Sequence, residues 1–188
     1  MPFRNLLPKG VRYRAIDVPQ ADGFGMARDA AITMFDGRHI PFPDQSFDHL
    51  LCTEVLEHAE DPVALIGEMH RVLRPGGTLL VTIPFSARVH HAPFDFHRFT
   101  RFQVARLFAG FTTTRIGERG NDLSVIANKL IVVVMRMLRP SISLIWTLPV
   151  LVVLGPVAAV FLLVAHLSLP LGWGSKDDPL GYAVVATR

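Results

Sequence analysis

A doubly wound α/β domain with a mostly parallel sheet is what this sequence predicts, and three observations predict it. Short apolar runs of strand length end in turn residues, an amphipathic helical pattern stands between two of them, and the run TLLVTI (78–83) is continuous, as a strand covered on both faces requires. The 188 residues suffice for one compact domain, and a composition 50% hydrophobic and only 19% charged excludes a disordered chain or a coiled coil. The net charge of +3 comes from basic residues scattered singly, Arg12, Arg71, Arg98 and Arg106 among them, so no nucleic-acid partner is expected. The single cysteine, Cys52, allows no internal disulfide, and Met1–Arg4 lacks the apolar core of a signal peptide. A reducing, cytoplasm-facing location is expected.

The elements follow in order. Val11–Val18 alternates, carries Asp17 and meets Pro19, which suits a short strand opening into a loop. Thr33–Phe35 is a second short run, stopped by Asp36-Gly37. Phe47–Cys52, after the turn Pro43–Ser46, reads as a buried strand. Val63–Leu73 places Val63, Ile66, Met69, His70 and Leu73 on one helical face, started by Asp61-Pro62 and stopped by Arg74-Pro75-Gly76-Gly77. Strand 78–83 follows. Thr100–Ala109 reads as a helix with Thr100 as N-cap and Gln103 completing a capping box. Phe111–Ile116 and Gly181–Thr187 read as strands.

A mean hydropathy of +0.35 has a local origin, because no Asp, Glu, Lys or Arg occurs between Arg139 and Lys176. Ile142–Leu171 is long enough for a membrane helix, which needs about 20 apolar residues. Gly155-Pro156 divides it into halves too short to span alone. The expected arrangement is a helical hairpin broken there and dipping into the membrane, with Trp146 and Trp173 near headgroup level. One kinked transmembrane helix and a cap buried on the domain or in a dimer are the alternatives.

Asp17 closing a strand, the segment DGRHIPFPDQSFDHLLCTEVLEHAEDP, and a helix ending in HRVLRPGGTLLVTIPF together resemble the class I S-adenosylmethionine-dependent methyltransferases, type 11-like. The match runs from about Val11 to Phe111. The resemblance implies a Rossmann-like doubly wound, mostly parallel sheet, N-terminally truncated, with a hydrophobic helical insert before an antiparallel last strand. It implies S-adenosyl-L-methionine as cofactor. An acid at a strand end can accept hydrogen bonds from both ribose hydroxyls, and Asp17 stands at one. Asp36 would accept from the adenine amine with Gly37 and Arg38 beside the ring, although Asp36-Gly37 reads equally well as a turn. Cys52, Thr53 and Glu54 would line the cofactor cleft, with Cys52 a small buried hydrophobe.

The loop after the strand at 78–83, His90-His91-Ala92-Pro93-Phe94-Asp95-Phe96-His97-Arg98, would overhang the acceptor. His91 or Asp95 is the candidate general base, an imidazole being the group that titrates nearest neutral pH. His90, His97 and Arg98 are candidate substrate-binding residues. The competing reading has Asp95 and Arg98 paired, fixing the entry to the helix at Thr100. Glu54 and His58, four apart, would share a helical face, but they lack a third ligand and no metal is expected.

Nucleotide-binding sheets of this kind carry a glycine-rich loop some 20 residues before the acid. Only Gly10 precedes Asp17, and Met1–Leu7 resembles the start of the family's first helix. The expected domains are a truncated methyltransferase core (1–130), a hydrophobic membrane-associating insert (131–172) and a final strand (173–188). The expected function is methyl transfer to a small-molecule or lipid-like acceptor by a membrane-associated enzyme. The alternative is a non-catalytic truncated relative that serves as an interaction or membrane-binding module.

Overall fold

A computed structural model describes residues 6–19, 31–138 and 144–188. Among them run β1 (Ala15–Asp17), β2 (Ile32–Met34), β3 (Phe47–Thr53), α1 (Pro62–Val72), β4 (Leu73–Pro84), α2 (Arg101–Leu107), β5 (Thr113–Arg119), α3 (Asp122–Met137), α4 (Leu144–Leu171) and β6 (Gly181–Thr187). A one-turn 3-10 helix, Leu56–His58, follows β3. The reading of Met1–Leu7 as the start of a helix lies largely outside the described residues.

β1 and β2 pair in parallel, with Asp17 opposite Met34. The other strands form a second sheet in the order β3-β4-β6-β5. β3 and β4 are parallel, and β6 runs antiparallel to both β4 and β5, so β6 is the reversed strand expected of GYAVVAT. Ile16 of β1 and Phe35 after β2 pack on the core that lies under the larger sheet, where Leu79, Val81, Ile83, Val184 and Phe108 are fully buried.

Local chemistry explains the well-placed elements. Asp61 caps α1, its Oδ1 accepting from the Ala64 amide at 2.9 Å with Pro62 in the first turn, and Thr100 caps α2 by accepting from the Gln103 amide at 3.3 Å. The buried face of α1 differs from the expected one. Pro62, Leu65, Ile66, Met69 and Val72 face inward, whereas Val63 is 65% exposed and His70 packs edge-on to Phe111 at the border. Two interleaved stripes satisfy the three-and-four spacing here, and contact with the sheet selects between them.

Arg74-Pro75-Gly76-Gly77 does not end a helix ahead of a strand at 78, because β4 already begins at Leu73 and carries these residues as an irregularity. Phe47 faces Leu73, but His49 faces Thr78. Gly76 takes φ +77°, and a Cβ on Gly77 would stand 2.8 Å from the Arg74 carbonyl and 3.0 Å from that of Asp48, so both glycines are required. β3 is less buried than expected. Cys52 alone in it is buried and Leu51 is 43% exposed, because β3 has a strand partner on one side only among the described residues.

The apolar segment is corrected most. α4 runs unbroken through Gly155-Pro156, with Pro149, Pro156 and Pro170 inside it. Each proline removes one intrahelical bond and bends the axis, which does not oblige the chain to reverse. Its 28 residues extend about 42 Å at 1.5 Å each. The hairpin partner is instead α3, a helix the sequence reading did not assign, capped by Asn121 through the Ser124 amide at 3.0 Å. The boundary expected at 130/131 falls inside α3.

Asn121 Nδ2 also donates to Ser168 Oγ at 2.8 Å and to the Trp173 carbonyl at 2.7 Å, and Asp122 Oδ1 accepts from the Ser175 amide at 3.0 Å, so both roots of the α3–α4 pair meet at the carboxyl end of β5. Leu151, Ala158, Ala165 and Ser168 form the buried stripe of α4. The rest is bare: Trp146, Val152 and Leu163 are each 60% or more exposed, and only 17% of the most apolar window of Trp146–Leu171 is buried. By length and composition this helix is able to cross a membrane.

Candidate functional site

The expected cofactor residues sit where strands end. Asp17 closes β1; its Oδ1 accepts from the Val18 amide at 2.8 Å and its carbonyl from the Phe35 amide at 3.0 Å, which locks the ends of β1 and β2 together. Asp36 Oδ1 accepts from the amides of Arg38 and His39 at 2.8 and 2.6 Å, bonds that hold its carboxyl below the usual carboxylate range. The turn reading of Asp36-Gly37 is therefore realised, with Gly37 at φ +78° against Val18. Arg38 reaches Glu60 at 2.8 Å on the surface.

Cys52 is buried and its thiol is pushed up to about 12, which suits a packing role and not a nucleophile. Thr53 faces Thr82 across the β3–β4 pair. Glu54 adopts φ +53°, a left-handed backbone uncommon outside glycine, while its amide donates to the Thr82 carbonyl at 2.9 Å. Its side chain pairs with Arg119 at the end of β5, reaching across the strand ends of the sheet. The Glu54–His58 helical face does not form, because a left-handed residue and a single 3-10 turn replace the helix and turn the two side chains to different partners.

The loop after β4 is bonded mainly to itself and to that 3-10 turn. Asp95, with its side chain 1% exposed, accepts from both Arg98 Nη atoms at 2.6 and 2.8 Å and from the His90 amide at 2.9 Å. The Arg98 guanidinium holds its carboxyl well below the usual range. A carboxylate so engaged is a poor base, and Asp95 instead positions the loop, which is the pairing alternative of the sequence reading. Arg98 also donates to the carbonyls of His97 and Arg88, at 2.6 and 3.0 Å. His97 Nε2 bonds the Ala59 carbonyl at 3.0 Å, and the amides of Phe96 and His97 donate to the Glu57 carbonyl. His91 is exposed, at φ +52°, with its ring stacked on that of His58 at 5.1 Å between centroids.

Glu57 was not singled out by sequence, yet it lies at the centre of this cluster. Its side chain is wholly buried, and both carboxylate oxygens are the buried side-chain atoms without a hydrogen-bond partner among the described residues. Burial raises its carboxyl to about 7. Oε1 stands 3.6 Å from His58 Nε2 and 3.7 Å from His90 Nε2. The available signal was the order Leu56-Glu57-His58, which places an acid beside a core leucine, with a His-His pair in a loop more than 30 residues on.

The IPFPDQSFD and LRPGG motifs have a structural job nearby. Arg71 of α1 donates to both oxygens of Glu68 at 2.8 Å, to Asp44 Oδ1 at 2.7 Å, and to the carbonyls of Ile40 and Phe42 at 3.0 Å, binding the IPFPDQSFD segment to the helix. Arg74 reaches Asp48 at 2.6 Å, and the Gly76 amide donates to the Arg188 carbonyl at 2.9 Å, closing the RPGG irregularity over the end of β6. These motifs lie within residues 10–81, which match the methyltransferase domain family. That match, with the likeness to curated methyltransferases, supports reading residues 10–81 as class I S-adenosylmethionine-dependent methyltransferase sequence.

The ubiquinone/menaquinone biosynthesis C-methyltransferase of Saccharophagus degradans is 38% identical to this chain over 78 residues, covering 40% of this chain and 31% of that protein. An uncharacterised methyltransferase of Schizosaccharomyces pombe is 50% identical over 38 residues, 20% of this chain and 14% of that protein. The chain spans less than a third of the length of the curated relatives it matches. Among solved structures, a phosphoethanolamine N-methyltransferase of Haemonchus contortus is similar at 16% identity and a TM-score of 0.47, over 85% of this chain and 38% of that one.

Proposed function

We propose that this chain serves methyl transfer from S-adenosylmethionine to a small-molecule or lipid-like acceptor at the cytoplasmic surface of a membrane. The observation that carries the reading is the alignment of Asp17, Asp36-Gly37 and Glu54 with successive strand ends inside a methyltransferase-domain segment. These residues fit the cofactor. Asp17 would accept from the ribose hydroxyls, the bare backbone of left-handed Gly37 between Asp36 and Arg38 would lie beside the adenine, and Cys52, Thr53 and Glu54 would line the cleft.

When bound, S-adenosylmethionine supplies a methyl group on a positively charged sulfur. Because positive charge leaves that sulfur as transfer proceeds, holding the two partners in line is most of the protein's contribution. Asp95 and Arg98 keep the loop rigid over the strand ends, and exposed His91 is the residue placed to take a proton from the acceptor. His90 and His97, expected to bind substrate, are engaged within the loop's own framework and would shape the acceptor wall.

Membrane association rests on the bare apolar faces of α4. Lys129 of α3 donates to the Ser86 carbonyl at 2.8 Å, which ties the helical pair to the loop after β4 and so to the acceptor side. A non-catalytic module remains a second reading, because β1–β2 and β3–β6 are separate sheets among the described residues and the strand-end acids are divided between them. Incubation with methyl-labelled S-adenosylmethionine and either a membrane lipid extract or a water-soluble extract tests the proposal, together with flotation on vesicles. Label in the lipid fraction, with flotation lost in a Val152→Asp/Leu163→Asp variant, is the expected result. Flotation without label transfer from either extract would favour the module.

A further inference from the structure

We propose that Glu57, His58 and His90 bind a divalent transition-metal ion of the zinc class, with His91 beside its remaining coordination position. The site goes beyond methyl transfer and does not depend on it.

Hydrogen bonding fixes the tautomers. His58 Nδ1 lies 2.5 Å from the Phe94 carbonyl, an acceptor only, so that nitrogen carries a proton. His90 Nδ1 lies 3.1 Å from the Arg88 carbonyl and 3.3 Å from Asp95 Oδ2, again acceptors only. With no second proton on either ring, both Nε2 atoms are lone-pair donors, and they face each other at 3.1 Å. Two lone pairs at that distance need a cation between them, a metal ion or a proton. Glu57 supplies the complementary charge: its wholly buried carboxylate, with no hydrogen-bond partner among the described residues, stands 3.6 and 3.7 Å from the same two nitrogens.

The spacing suits a metal. Tetrahedral zinc with bonds of about 2.0–2.1 Å sets adjacent donors about 3.3–3.4 Å apart, so this triangle needs shifts of only a few tenths of an ångström. His91 offers a ring nitrogen within 4.8 Å of the ligand atoms of His58 and His90. Two imidazoles and one carboxylate select zinc, cobalt or nickel over magnesium and calcium, which take oxygen donors. The outer shell is that of a built site, since each imidazole donates its other N–H to a carbonyl and Asp95, beside His90, is fixed by Arg98. A divalent ion would also neutralise a buried carboxylate that is otherwise costly.

Cobalt is the probe. The full chain, freed of metal by a chelator, is titrated with Co²⁺ while the visible absorption of the four-coordinate ion is followed, and Zn²⁺ and Mg²⁺ are then added as competitors. One equivalent of Co²⁺ should bind with that band, Zn²⁺ should displace it and Mg²⁺ should not. Near-isosteric Glu57→Gln and His90→Ala should each weaken binding by about 100-fold or more, the upper range for loss of even an outer-shell partner, and His91→Ala by less. Circular dichroism of each variant confirms that it is folded. Absence of the band, or unchanged affinity in folded Glu57→Gln, overturns the site and leaves a proton shared by the two imidazoles as its occupant.

Discussion

Two glutamates eleven residues apart in the same half of the domain have opposite fates. Glu68 on α1, its side chain 13% exposed, is bonded through both oxygens to Arg71 and accepts the Ile40 amide at 3.0 Å. Glu57, after β3, is more deeply buried and meets two imidazoles with no hydrogen bond to its side chain among the described residues. Where a charge serves the fold, the chain supplies every partner, and the Arg71 clamp is closed. Where a carboxylate is buried with its partners a bond length too far away, the fold has spent stability on something it does not itself provide.

Substitutions should break this contrast in opposite directions. The largest effect is expected of Arg71→Ala, which strands Glu68 and releases the carbonyls of Ile40 and Phe42; it should cost about 3 kcal/mol in urea unfolding. Acid should act on the same clamp. Arg71, and after it the Ile40 amide, hold the Glu68 carboxyl below its ordinary 4.5, so its stabilisation is present above that pH and is lost as pH falls toward the lower folded value. Glu68→Gln should flatten the acid limb of a stability–pH curve below about 4.5. Glu57→Met should do the reverse of Arg71→Ala, raising the stability of the metal-free protein by about 1 kcal/mol, since it removes an unpaired buried carboxylate. A loss of more than 2 kcal/mol there would mean that Glu57 is satisfied in the fold. Thr100→Ala, which removes a cap from a helix outside both regions, should cost about 1 kcal/mol and leave cobalt binding unchanged.

The parts of the fold legible in the sequence are those fixed by local chemistry. Asp61-Pro62 and Thr100 cap helices because their bonds reach three residues on, and β6 was visible because the apolar run GYAVVAT follows the charged segment Lys176–Asp178. Long-range choices were not legible. Val63 or Pro62 could lead the buried stripe of α1 until the sheet selected, and Gly155-Pro156 resembled a break until α3 gave α4 a partner to lie along. α3 itself was overlooked because its Asn121 cap, which bonds to Ser168 and Trp173 on the far side of the insert, follows a strand end directly. The candidate site divides in the same way. Asp17, Asp36 and the His90–Arg98 loop were named from order and spacing, whereas Glu57 required knowing that a single 3-10 turn, and not a helix, carries it inward.

Calorimetric titration of S-adenosylmethionine into the full chain and its Asp17→Ala and Asp36→Ala variants tests the central claim most directly. Saturable one-to-one binding, abolished by Asp17→Ala and weakened by Asp36→Ala, is the predicted result. Affinity equal in all three proteins would contradict the assignment of the strand-end acids, and no heat in the parent chain would contradict the methyl-transfer reading.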